Sequence, residues 1–193
     1  MSDITLCFEG PFGLCGDHPK LLFNEEISHS AGVYLWVVRY KDGYLVHYIG
    51  ETGTSFNKRM KEHMIQTLGG NYRVCNPEAL REGKEKIMWD GLWRRGTRDK
   101  MPEFVDRYVE LSPVIRDYLE VIEVLVAPLQ VESRVRRRIE GALARSIQDQ
   151  PSPASNLLPD DIRYTTRKKD EVPIPVHVMS HTKGLDLPNR ISV

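Results

Sequence analysis

Gly32-Val33-Tyr34-Leu35-Trp36-Val37-Val38-Arg39-Tyr40, then Lys41-Asp42-Gly43, then Tyr44-Leu45-Val46-His47-Tyr48-Ile49-Gly50, is the stretch on which the fold turns. The first run is β-branched and aromatic, which reads as a buried strand. Asp-Gly predicts a tight hairpin turn, because such turns need positive φ that few residues tolerate. The return strand then covers residues 44–50. Beyond it Thr52, Thr54 and Ser55 each offer a side-chain oxygen to cap a helix. Phe56, Met60, Met64 and Leu68 recur at helical spacing, and Gly69-Gly70 ends the run. On that helix Arg59 and His63 are four apart and share a face beside the apolar stripe.

Further out, residues 71–117 read as a longer insertion with helical stretches at 77–95 and 103–108. Residues 118–126 turn from mixed to apolar and predict a third strand. Val131, Val135, Ile139, Ala142, Leu143 and Ile147 mark one stripe of a helix ending near Gln148. Six of the 12 prolines fall after residue 150, which predicts an extended arm, with an edge strand over 172–179. The expected architecture is α/β of the α+β kind: a small three-stranded, mainly antiparallel sheet flanked by helices. It comprises one domain over residues 1–157 and an arm over 158–193.

Composition narrows the class. A chain of 193 residues suffices for one well-buried domain with elaborations. No apolar run reaches the roughly 20 residues of a membrane helix, and the start lacks the pattern of a secretory signal. Cys7, Cys15 and Cys75 are an odd number without metal-ligand spacing, which suits a reducing cytoplasm. The 27 basic residues balance the 27 acidic ones, so any grip on a polyanion must come from local clusters. Such clusters occur at Lys58-Arg59, at Arg94, Arg95 and Arg98, at Arg134 to Arg138, and at Arg167 to Lys169. Trp89 and Trp93 lead into the second of these, and packing of both tryptophans against the core is the expectation.

Each chemical candidate has a packing explanation when taken alone. Tyr34 and Tyr48 are aromatic strand residues, Arg59 and His63 suit a helix surface, and Glu140 can pair with Arg136 or Arg137. Together they form an ordered set: two tyrosines on a hairpin, Arg-x-x-x-His on the next helix, and a carboxylate on a later one. Gly32-Val33-Tyr34, Tyr48-Ile49-Gly50, Arg59, His63, Glu140 within Ile139-Glu140-Gly141-Ala142-Leu143, and Asn156 resemble the GIY-YIG nuclease family. The resemblance covers residues 32–68 and 119–157.

It implies a GIY-YIG-like fold and a metal-dependent endonuclease, restriction-like and standing alone, that hydrolyses double-stranded DNA as a possible homodimer without a membrane partner. Glu140 would bind Mg²⁺ or Mn²⁺, which needs only one or two carboxylates beside water and phosphate. Arg59 would hold the phosphate with permanently charged donors, and Tyr34 would act as general base with Tyr48 beside it. A free phenol has a pKa near 10, so His63 would take its proton and Arg59 would favour phenolate. Lys58, Arg94, Arg95, Arg98, Arg136 and Asn156 would contact the nucleic acid. Two other functions fit the same residues: a catalytically silent nucleic-acid-binding or protein-interaction module, and a phosphoryl-handling enzyme acting on nucleotides or RNA. A deep closed pocket would favour the last.

Overall fold

The structure is a computed structural model that describes residues 3–93, 99–159, 162 and 164–193. Its strands are β1 (Ile4–Gly13), β2 (Gly32–Tyr40), β3 (Gly43–Thr52), β4 (Val74–Cys75), β5 (Ile87–Trp89), β6 (Glu123–Pro128), β7 (Pro175–Ser180) and β8 (Arg190–Ser192). The helices are α1 (Phe56–Leu68), α2 (Pro77–Arg81), α3 (Met101–Asp106), α4 (Tyr108–Val121), α5 (Ser133–Gln148) and α6 (Pro153–Leu157). No described helix is long and apolar enough to cross a membrane.

The class is mixed α and β, but the sheet is larger than the expected three strands. Six strands run in the order β3-β2-β6-β1-β7-β8, and β4 pairs with β5 in a separate ribbon. The three anticipated strands are neighbours at one end, where β2 pairs antiparallel with both β3 and β6. β1 extends them by pairing antiparallel with β6, and it pairs in parallel with β7. Residues read as an arm thus contribute two strands, and the edge position predicted for 172–179 belongs instead to β8. A parallel partner so far away in sequence leaves no local pattern to read.

β2 is buried from Gly32 to Val38, as its continuous apolar run requires of a strand covered on both faces. The hairpin turn falls one residue early: Tyr40 pairs with Gly43, so Lys41 and Asp42 are its central residues, and Lys41 takes φ of 50°. Gly43 is small for another reason, since a Cβ there would lie 2.2 Å from the Gly184 carbonyl oxygen. Within the hairpin, Trp36 pairs with Tyr48 but Val37 pairs with Val46. His47 is therefore the extra residue of a β-bulge. Bulges break the alternation of side chains and re-aim them.

Ser55 caps α1 by accepting from the Lys58 amide, and Gly69 ends it. The buried face of α1 is Phe56, Met60, His63 and Thr67, whereas Leu68 is exposed. The apolar stripe through Met64 and Leu68 is thus displaced towards His63, because aromatic side chains of the hairpin receive that face. Helix 77–95 is also corrected: among its described residues only Pro77–Arg81 is helical, and β5 follows. Residues 118–121 end α4 rather than begin a strand. Leu111, Ile115, Tyr118 and Leu119 recur at helical spacing and are buried.

Candidate functional site

Alternation along a strand places Tyr34, its partner Gly50, and Tyr48 two residues on, on one face of the hairpin. α1 lies on that face: Tyr34 packs edge-on against Phe56 and His63, and the Trp36 indole nitrogen donates to the Met60 sulfur at 3.3 Å. The Tyr48 ring lies 6.2 Å from Tyr34 and 5.6 Å from His63, centre to centre. Three of the predicted residues therefore meet, and Arg59 joins them through the Tyr34 hydroxyl.

The glycines of the two tripeptides are explained by close approach. A Cβ on Gly50 would stand 2.2 Å from the Tyr34 hydroxyl, so the phenol lies across bare backbone. A Cβ on Gly32 would stand 2.1 Å from the Ala127 carbonyl oxygen of β6. Neither constraint is local in sequence.

Tyr34 is fully buried, its hydroxyl 2.7 Å from His63 Nε2 and 3.3 Å from Arg59 Nε. Arg59 has only donors. It donates into the phenol oxygen, and His63 Nε2 shares a hydrogen bond with that same oxygen whose direction follows the His63 tautomer. Burial, and then the Arg59 cation, push the His63 pKa down to about 3, so the ring is neutral near pH 7. Burial and the neighbouring Tyr48 push Tyr34 well above its ordinary value, against the opposing pull of Arg59. The expectation that Arg59 and His63 hold Tyr34 as phenolate is therefore corrected: desolvation outweighs the guanidinium, and the resting group is a phenol. Tyr48 is only half-buried, with its pKa pushed up to about 12 by burial and then by Glu140. It is the tyrosine that solvent and a ligand can reach.

Glu140 reaches the cluster from α5, close enough to act electrostatically on both tyrosines. It forms no ion pair with Arg136 or Arg137. Both arginines turn to Glu51 instead, Arg136 through Nε and Arg137 at 3.4 Å. Burial, with Glu51 nearby, raises the Glu140 pKa to about 7 against the pull of Arg137, Arg59 and Arg136. Glu51 is the residue that sequence reasoning passed over, although it directly follows Tyr48-Ile49-Gly50.

The peripheral candidates divide. Lys58 is exposed at the start of α1 and is free to meet a phosphate. Arg136 is buried, held by Glu51 and the Val131 carbonyl, so it is a structural cation rather than a phosphate contact; the exposed Arg137 is better placed. Asn156 is exposed on α6, and its side chain makes no hydrogen bond among the described residues. Arg94, Arg95 and Arg98 lie outside the described residues. Of the two tryptophans, Trp89 is buried and donates to the Gly70 carbonyl at 2.6 Å, but Trp93 is 59% exposed, contrary to expectation.

The donor set defines what a cation would find. Among the described residues no three His, Cys, Asp or Glu gather as a metal cluster. Both Glu51 oxygens face arginines, which leaves Glu140 as the uncommitted carboxylate. One hard oxygen donor suits Mg²⁺ or Mn²⁺ taking most of its shell from water and a phosphate, and does not suit a closed protein cage.

Stability should report the Glu140 environment directly. A carboxyl raised from 4.5 to about 7 in the fold contributes stability that is complete below pH 4.5 and lost as pH rises through 7. Wild-type protein is therefore expected to lose melting temperature relative to Glu140→Gln across that window, and then to run parallel above it. His63, depressed to about 3, acts oppositely in both proteins: its contribution is present above 6.5 and falls away towards acid. Thermal unfolding of the two proteins at stepped pH isolates Glu140; a constant difference from pH 4 to 8 would contradict its burial.

Comparisons of the chain with protein-family models, curated proteins and solved structures gave no match.

Proposed function

We propose that this chain is a metal-dependent DNA endonuclease that cleaves phosphodiesters with the GIY-YIG-like residue set. The observation that carries this reading is the convergence of Tyr34, Tyr48, Arg59 and His63 from two strands and a helix, with an uncommitted carboxylate from a second helix beside them. A phosphodiester is anionic and its leaving alkoxide is poor, so its hydrolysis needs fixed positive charge, a base and help for the departing oxygen. Arg59 supplies the charge: its side chain is 34% exposed, and Nε is already fixed on Tyr34. A cation on Glu140 would neutralise a phosphate oxygen and stabilise the leaving group.

Tyr48 is the accessible base: its own phenolic proton passes first to bulk water, and the phenolate then takes the proton of the attacking water. Burial and then Glu140 hold that phenol up at about 12, and a cation on Glu140 would offset the second of these. Tyr34, locked between His63 and Arg59, holds the geometry behind it. This division reverses the expectation from sequence, because a general base must reach the water it deprotonates and Tyr34 is sealed. Tyr48→Phe is expected to lower single-turnover cleavage by about 10²–10⁴-fold, the usual range for a general base. Tyr34→Phe should lower it less, with duplex binding retained by gel shift in both. The reverse order would return the base to Tyr34. Duplex binding by wild-type protein with no cleavage at all would favour the silent module.

A further inference from the structure

A cavity of about 320 Å³ opens beside the tyrosine cluster. Tyr48 and His63 belong to its lining, so it shares a wall with the proposed phosphate site. The insertion builds much of the remainder: Tyr72, Arg73 and Cys75 on and before β4, Glu85 and Asp90 flanking β5, and Trp93. The β-bulge adds His47, which in a regular strand would point to the opposite face from Tyr48. His47 is buried and bonded through Nε2 to the Tyr118 hydroxyl at 2.8 Å, while its Nδ1 makes no hydrogen bond.

The chemistry of this lining is specific. Flat rings surround the space, with Tyr72 against His63 at 5.6 Å and Trp93 edge-on to Tyr72 at 5.7 Å. Trp93 is a large aromatic left 59% exposed beside an aromatic cavity. The charged groups of the described lining are one cation, Arg73, and two carboxylates, Glu85 at 3.0 Å and Asp90 at 3.6 Å from it. Among the described lining residues there is thus no surplus positive charge to hold a phosphate. The site suits a flat, uncharged ring that both donates and accepts hydrogen bonds. Its volume lies at the lower end of small-ligand sites, which run from roughly 300 to 1,000 Å³.

We propose that this cavity receives one nucleobase turned out of the DNA stack, anchored beside the phosphate that Arg59 holds. The inference rests on the nuclease reading and deepens it: the insertion becomes a base receptor, and the bulge at His47 is the device that opens it. Extruding a base costs unstacking and unpairing, which ring stacking in a pocket offsets, and the cost is least for a mispaired base.

The test is competitive gel shift in EDTA with three versions of one short duplex. One is fully paired, one carries a single central mispair (A·A, C·C, G·G and T·T in turn), and one has both bases of that pair replaced by abasic residues. Wild-type protein is expected to bind at least one mispaired duplex about tenfold more tightly than the paired one, and to gain nothing from the doubly abasic one. Trp93→Ala, at an exposed position, should fold normally by circular dichroism and lose the tenfold preference while still binding paired DNA. Equal gain on the abasic duplex would show that flexibility, not a base, is recognised, and would overturn the proposal. So would binding of all three duplexes alike. Quenching of tryptophan fluorescence by free deoxynucleosides, without any mispair preference, would assign the cavity to a free nucleoside and overturn it as well. Failure to bind any duplex would instead remove the nuclease reading beneath it.

Discussion

Glu140→Ala is expected to abolish metal-dependent DNA cleavage while leaving the protein folded and able to bind DNA. The loss should be on the order of 10³-fold or more, because a bound cation stabilises the transition state by several kcal/mol and each decade of rate is about 1.4 kcal/mol. Folding should survive, since Glu140 pairs with no described cation and its pKa stands near 7. Removing a carboxylate that the fold holds unwillingly relieves a cost at neutral pH rather than breaking a contact. The same environment gives cleavage a pH dependence: only the ionised carboxylate accepts the cation, so the rate should climb as pH rises through about 7 at low metal and flatten as metal saturates. Single-turnover cleavage against pH at two Mg²⁺ concentrations measures this. A variant as active as wild type would remove Glu140 from the site.

Gly50→Ala is expected to damage both stability and activity, although it adds a single methyl group. The new Cβ would stand 2.2 Å from the Tyr34 hydroxyl and 2.3 Å from its ring carbon. The ring is fully buried among Phe56, Tyr48 and His63. Overpacking of this kind costs roughly 1–3 kcal/mol, and displacing the phenol breaks its bonds to both His63 and Arg59. Cleavage should fall by on the order of 10²-fold, as for misplaced catalytic geometry, together with a lower melting temperature. The informative control is Gly69→Ala, where the nearest atom to a new Cβ is 3.2 Å away, outside the cluster. Wild-type melting and activity in Gly50→Ala would contradict the placement of Tyr34.

The hairpin, α1 and α5 were legible because each is written in a local period: an apolar run closed by a turn, then stripes at helical spacing. What the sequence could not disclose was decided at a distance. Gly32 and Gly50 read as strand-flanking glycines, yet one yields to the β6 backbone and the other to the Tyr34 ring. Arg136 read as one of a basic cluster, but Glu51 on β3 captures it. Glu140 read as a metal-binding carboxylate with those arginines as its packing alternative, and Glu51 takes both of them. His63 and Thr67 replaced Met64 and Leu68 on the buried face of α1 because the opposing surface is aromatic rather than aliphatic. The bulge at His47 depends on register, which no local pattern records. In α4 the helical recurrence of Leu111, Ile115 and Leu119 was present, and the apolar run beginning at Val124 drew the predicted strand too early.

Incubation of supercoiled plasmid with wild-type protein, in Mg²⁺ or Mn²⁺ and again after EDTA, tests the central claim most directly. The account predicts nicked, linear or fragmented DNA that depends on the cation and disappears with EDTA. Intact plasmid under every metal condition, from folded protein that binds the same DNA, would contradict it.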